Sequence, residues 1–348
     1  MDEHRTEGYL LALEAGGSKT ECVVLSPDDQ VVAYGRGGPT NTIFISLETA
    51  EESIRTAVGT AFSQLNGVPR VFEVFALSAM APTEIVFKVV LETAQVGRTV
   101  HYGEHQVALA SAGCYELEGI AVIAGTGSSI TGWHHGRSHH VGGWGANLGD
   151  EGSAYDIGLR GLKAAIQASD GRGPQTVLQE RVMQHFGLRH LRELVPRVHL
   201  NPTARPDVAG FAPVVMQAAV EGDAAAQAIA RHAARELSWG VLVVARRLYC
   251  PQESFQVVLA GGVFKAGEVL IAPFREAVVA EFPHAQICPA RFRPAEALAR
   301  LARYHQRREG REASPPVPAH LKSQGWNHDR SVFRAVAGET DGAGNGRA

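Results

Sequence analysis

The stretch YLLALEAGGSKTECVVL, residues 9–25, sets two apolar runs around a small, glycine-rich hinge. The runs YLLALE (9–14) and ECVVL (21–25) predict strands, with AGGSKT too short and too rich in glycine to be anything but the turn between them. A second turn, SPDDQ (26–30), leads into VVAYG (31–35), so the chain opens as a meander of strands. The same outline returns around residues 119–143: GIAVIA, the turn GTGS, SITGW, a turn at HHGR, and SHHVGG. A repeated strand–turn–strand unit predicts a duplicated fold.

Outward from the two meanders, helix alternates with strand. Residues 48–64 and 84–95 have helical composition, and strands are predicted at 71–77 and 98–103, which makes the first half α/β. A helical region runs from Glu151 to about Tyr249, with a helix at 207–220 and a long alanine-rich run after Gly222. Strands QVVLA (256–260) and AQICPA (285–290) then enclose the helix EVLIAPFREAVVAEF, and Pro294 opens a last helix. From about Gly310 the chain turns to Pro, Gly and charge; a disordered tail is expected, with Trp326 and Phe333 as stray aromatics.

The bulk numbers narrow the function. The chain has 348 residues, 45% of them hydrophobic, with a formal charge of only −3, so no general attraction to nucleic acid or an anionic membrane is expected. Any anion site must therefore be local. The cysteines Cys22, Cys114, Cys250 and Cys288 lie far apart, without the spacing of a zinc or iron–sulfur site. The start, MDEHRTEGYL, has no cationic segment followed by an apolar core, and no later run approaches 18 apolar residues. A cytoplasmic protein is expected.

The turn at Gly16, Gly17, Ser18, Lys19 and Thr20 is a candidate phosphate cradle, because glycines let backbone N–H groups approach an anion and the hydroxyls add donors. It is not a Walker loop: serine precedes Lys19 and a strand follows. Gly125, Thr126, Gly127, Ser128 and Ser129 occupy the matching turn of the second unit, and two such turns favour a nucleotide cleft. Gly261 and Gly262 end a buried strand, where a flat base could lie on backbone.

The segment GGWGANLGDEGS (142–153) packs glycines, Trp144 and two adjacent carboxylates ahead of a helix, at an entropic cost that binding would offset. A helix cap is the bland reading of Asp150 or Glu151. Phosphoryl transfer needs a carboxylate for the attacking hydroxyl, and Glu14, Glu104 and Asp150 are the acidic candidates. The histidines His134, His135, His139 and His140 read as an exposed turn, since no acidic or cysteine partner adjoins them.

Read together and in order, EAGGSKTE, GTGSS and GGWGANLGDEGSAY resemble the BadF/BadG type of actin-like ATPases and, within it, the N-acetylglucosamine kinases, over roughly residues 8–305. Further similarity lies in Pro39-Thr40-Asn41, Leu77-Ser78-Ala79, Glu221-Gly222-Asp223 and LAGGVF. The resemblance implies an α/β, duplicated ribonuclease-H-like (actin-like ATPase) fold of two domains around a nucleotide and sugar cleft. Expected boundaries are 1–115 and 116–292, with a helical insertion in the second; residues 293–309 would pack back on the first domain and 310–348 form the tail.

The implied ligands are ATP with Mg2+, held by Glu14, Gly16, Gly17, Ser18, Lys19, Thr20, Gly125, Thr126, Gly127, Gly222, Gly261 and Gly262. A sugar would be held by Asn41, Ser78, Ser128, Ser129, Gly143, Trp144 and Asp150, with Glu104 and Asp150 catalytic; which residue ligates the metal is left open. The sequence departs from the family at three places: Glu104 stands at its catalytic aspartate, Ala15 at a glycine of the first turn, and Glu296 at a glycine of the last motif. The expected activity is ATP-dependent phosphorylation of an amino sugar, foremost N-acetylglucosamine at its 6-hydroxyl. Glucosamine or a muramic-type acceptor, a sugar sensor that does not turn over, and an ATPase activating a partner are the alternatives. A homodimer is left open; neither nucleic acid nor membrane is expected as a partner.

Overall fold

The computed structural model describes residues 8–68, 70–199 and 204–309. The tail expected from Gly310, with Trp326 and Phe333, lies outside them. Contacts below belong to a unit spanning Met1–Gln306; Arg307–Ala348 form a second, of which only the end of the last helix is described.

Alternating apolar residues build the first sheet. Strands β1 (Leu10–Ala15), β2 (Thr20–Leu25) and β3 (Val31–Gly37) form an antiparallel meander. On its other edge β1 pairs in parallel with β4 (Val71–Ala79), and β4 with β5 (Gln95–His101), giving the order β3-β2-β1-β4-β5. Leu11, Leu13 and Ala15 of β1 face helices α1 (Leu47–Phe62) and α2 (Thr83–Leu91), while Leu10 and Ala12 face the other way. Full burial of each such leucine contributes about 1.5–3 kcal/mol. Helix α1 sits directly on the backbone of β3: a Cβ at Gly35 or Gly37 would fall 1.9 Å from the carbonyl oxygen of Ala57 or Ser53.

The second sheet repeats the plan. Strands β6 (Gly119–Ala124), β7 (Ser128–His134) and β8 (Arg137–Gly142) form the meander, and β9 (Phe255–Ala260) and β10 (Ala285–Pro289) add in parallel, in the order β10-β9-β6-β7-β8. Read from the meander edge the two sheets have one topology, as the repeated glycine-turn unit predicts. One face carries α4 (Ala154–Ser169), α5 (Leu178–Phe186), α7 (Ala204–Gly210), α8 (Ala212–Val220), α9 (Ala224–Leu248) and α10 (Glu268–Glu281).

The helix predicted at 207–220 is two helices. It breaks at Phe211, and α8 restarts with Pro213 in its first turn, where the missing N–H and the ring are tolerated. The strand predicted at 98–103 begins earlier, because Gln95 pairs with Val71 and ends the preceding helix at Leu91.

The remaining faces are covered by exchange. Helix α3 (Glu104–Ser111) follows the last strand of the first sheet, yet Ala108 and Leu109 pack on Ala121 and Val258 of the second. Helix α11 (Pro294–Glu309) follows the second sheet, yet Ala295, Leu298, Leu301 and Ala302 share a core with Leu10, Ala12, Val23 and Val74 of the first. Arg303 of α11, almost wholly buried, donates to the carbonyls of Gly8 and Ser26.

Candidate active site

The two glycine turns face each other. In the first, Gly16 N–H bonds the Lys19 carbonyl at 2.9 Å, and the Gly16 carbonyl accepts from both the N–H and the hydroxyl of Thr40. Thr20 is fully buried and gives its hydroxyl to the Gly38 carbonyl, so it shapes the turn from behind. Ser18 points outward, and its hydroxyl meets that of Thr126 in the second turn at 3.0 Å. The second turn rests on the start of α4, whose Ala154 and Tyr155 N–H groups bond the carbonyls of Gly125 and Thr126. Beside it Gly261, at φ +112°, lies so close to Ala124 that a Cβ would sit 2.2 Å from its carbonyl oxygen, while Gly125 and Gly262 face open space. The floor formed by the ends of β6 and β9 is therefore bare backbone, which suits phosphate and a flat base.

Carboxylates gather on the facing side. Glu14, at the end of β1, is held up to about 8 by burial and by the charge of Glu21, with Glu104 adding to the effect and Lys19 opposing it. The Lys19 ammonium lies 2.6 Å from Glu21, and Tyr34 donates to the same carboxylate. The second oxygen of buried Glu21 has no partner. Ser78 stands in register beside Glu14 on β4. Glu104 opens α3 and is likewise raised, by the protein packed around it, although 54% of its side-chain surface stays open. Carboxylates whose ionisation burial disfavours, Glu14 further opposed by the charges of Glu21 and Glu104, close to the candidate phosphate cradle, fit a hard divalent cation with nucleotide, since its charge would favour the ionised forms.

Of the sequence-predicted sugar residues, Ser128, Ser129, Gly143 and Asp150 lie together beside the second turn, and Asn41 lies beside the first. Asn41 packs near Gly17 and accepts from Ile43 N–H. Ser128 donates to the Glu151 carbonyl, and the Gly143 N–H bonds the Ser128 carbonyl at 3.0 Å. Trp144 is 69% exposed and flanks Gly149. Asp150, in a left-handed backbone conformation at φ +61° and 3% exposed, lies so close to Gly127 that a Cβ there would touch its carboxylate. The cap of α4 is Ser153, which accepts from Asp156 N–H, so neither Asp150 nor Glu151 serves as one. Gly222 lies at the start of α9, where its neighbour Asp223 caps the helix and holds Thr176 and Val177.

Three residues outside the predicted set join the site. His105 shares a 2.9 Å hydrogen bond with Ser129 through Nε2, and burial beside His140 drives it down to about 3, so its ring is neutral. His140 lies edge-on to it, bonded at Nδ1 to the Thr131 hydroxyl and at Nε2 to the Gly142 carbonyl. Arg205 of α7 pairs with Asp150 at 2.7 Å and lays its guanidinium over Phe44, leaving its buried Nε without an acceptor. The adjacency of His105 to Glu104 was a signal available in the sequence; Arg205, inside the helical insertion, gave none. The open groove of about 590 Å3 between α5 and α8 is lined by none of these residues.

Relatives share this arrangement of chain. An N-acetylmuramic acid/N-acetylglucosamine kinase of Clostridium acetobutylicum is 29% identical over 80% of this chain and 93% of its own. An N-acetyl-D-glucosamine kinase of Dictyostelium discoideum is 25% identical over 84% of this chain and 97% of its own. The crystal structure of a candidate N-acetylglucosamine kinase from Chromobacterium violaceum superposes with a TM-score of 0.65 at 23% identity, over 85% of this chain and 99% of that one, which establishes the duplicated ribonuclease-H-like fold. Among the described residues no helix is long and apolar enough to cross a membrane. The sequence profile of the BadF/BadG/BcrA/BcrD ATPase family matches residues 13–291, and the chain belongs to that family.

Proposed function

We propose that the protein transfers the γ-phosphoryl group of ATP to a hydroxyl of an amino sugar, with N-acetylglucosamine and its 6-hydroxyl as the leading acceptor. The observation that carries this reading is the direct contact of the two phosphate turns at Ser18 and Thr126, with Glu14 and Glu104 on the same side of the cleft. The names of the relatives, all kinases of amino sugars, point the same way.

In this reading the backbone of the two turns, with Gly261 and Gly262, holds the nucleotide. Magnesium, bound with it through Glu14, would draw charge from the phosphate oxygens. Glu104 takes the proton of the acceptor hydroxyl as its oxygen bonds to the γ-phosphorus and the bond to the β-phosphate oxygen breaks, releasing ADP. Asp150 and Ser129, the latter oriented by His105, fix the sugar ring. Positioning by several donors lets a site reject a sugar that lacks one hydroxyl or amide.

The test is ADP release by the purified chain with magnesium and ATP against N-acetylglucosamine, glucosamine, N-acetylmuramic acid, N-acetylmannosamine, glucose and no sugar. Release that depends on one amino sugar and is lost in Glu104→Ala supports the kinase and names its acceptor. Sugar-independent release points to a partner-activating ATPase; thermal stabilisation by sugar without release points to a sensor.

A further inference from the structure

At the far end of the second sheet from the phosphate turn, the fold assembles a group that the sequence keeps apart. Glu118 immediately precedes β6, His134 ends β7, His135 opens the turn to β8, and Glu253 lies in the connection from α9 to β9. His134 is caught between the acids: Nδ1 lies 3.3 Å from Glu118 and Nε2 3.3 Å from Glu253. Its ring lies tilted against Tyr249, centroids 4.3 Å apart, and against His135 at 4.0 Å. The His135 N–H donates to the Glu118 carboxylate, and Glu253 accepts from Cys250 N–H. Donor atoms of Glu118, His134 and His135 all lie within 4.8 Å of one another. The two acids supply the partners that the histidine-rich turn lacks in sequence.

A neutral imidazole has one N–H, yet both nitrogens of His134 face a carboxylate. If Nε2–H donates to Glu253, the Nδ1 lone pair is aimed at Glu118, and a metal ion between them would engage both. A second imidazole beside that gap makes a metal ion the better occupant. Two imidazoles and one carboxylate, with an outer carboxylate holding the remote nitrogen of one imidazole, are the donor set and second support of a transition-metal site rather than of an oxygen-preferring ion.

We propose that Glu118, His134 and His135 bind one divalent transition metal ion of the zinc type, with Glu253 orienting His134 and solvent completing the coordination. The ion would tie the start of β6, the β7–β8 turn and, through Glu253, the α9–β9 connection. The site is independent of the proposed sugar kinase reaction, and its test does not rely on activity.

The full-length chain, stripped with a chelator and dialysed, is titrated with Zn2+ by calorimetry and with Co2+ by visible absorption. One saturable site per chain is expected, absent in the H134N/H135N double variant, lost or weakened at least 100-fold in E118Q, and weakened about 10–100-fold in E253Q, the range for loss of an outer-shell partner. The H139N and C250S variants, at the neighbouring histidine of the same hairpin and the exposed thiol, should bind as the parent does. Mg2+ should not compete. No saturable binding in the parent, or binding indifferent to E118Q and to the histidine variants, overturns the proposal; if the double variant misfolds by circular dichroism, the exposed E118Q and E253Q variants decide alone.

Discussion

Glu104, the proposed base, opens a helix that also presents His105 to Ser129. Replacing it with alanine should lower kcat about 100- to 10,000-fold, the usual contribution of a general base. Glu104→Asp withdraws the carboxylate by one methylene from surroundings fitted to glutamate, so a loss of about 10- to 100-fold is expected. Because burial raises Glu104, and the base must be ionised, kcat/KM should fall with decreasing pH along a limb above the ordinary carboxylate range. A pH–rate profile checks this, and the limb should vanish from the residual activity of Glu104→Ala.

Glu14 makes a different prediction. Its carboxyl keeps a proton up to about 8 in the folded chain, against 4.5 for a free side chain. The folded state therefore binds the extra proton between those values, and stability falls as pH rises across that window. Glu14→Gln should remove the fall, raising Tm at pH 8 by roughly 2–6 °C over the parent while changing little at pH 4.5. Magnesium with nucleotide should recover the parent's loss. At Asp150, Arg205→Met leaves a buried carboxylate unpaired and should cost about 1–3 kcal/mol by chemical denaturation, less than for a fully buried pair since Arg205 keeps some exposure. The D150N/R205M double variant should recover most of it.

Among the elements, the central meander strands were legible as short continuous apolar runs, because both their faces are covered: Leu11 and Leu13 by one layer, Leu10 and Ala12 by the other. The glycine turns were legible because small residues follow directly on an apolar run and a second strand-like run follows them. What stayed hidden has a common cause, namely dependence on partners far along the chain. Glu21 read as part of a strand, but its role in holding Lys19 and loading Glu14 appears only when β1 and β2 pair. The break at Phe211 depends on how α7 and α8 pack, and the acids around His134 come from positions 118 and 253. Gly35 shows how a single element enforces closeness: Gly35→Ala would drive a methyl into the Ala57 carbonyl and should destabilise by about 1–3 kcal/mol or more. Gly59→Ala, on the exposed side of the same helix and facing nothing within 4 Å, should instead stabilise by about 0.5–1 kcal/mol through helix propensity. Denaturant midpoints of the two variants check both signs.

For the whole molecule, the repeated sheet places one glycine turn, a proposed phosphate cradle, on each half, and the Ser18–Thr126 contact joins them. That is how a duplicated topology produces one two-sided site instead of two separate ones. The swapped helices α3 and α11 bind the halves together more firmly than that contact does, because each finishes the other half's core. A chain ending at Arg293 would leave Leu10, Ala12, Val23 and Val74 bare on one face and should be cut rapidly by protease under conditions where the full chain resists. The same feature sets a timetable during synthesis. The amino-terminal sheet leaves the ribosome first, yet its cover is encoded some 200 residues later than its last strand. At about 5–20 residues per second, the nascent chain must carry that uncovered face for roughly 10–40 seconds, a period in which a chaperone that shields apolar strands would find its natural client.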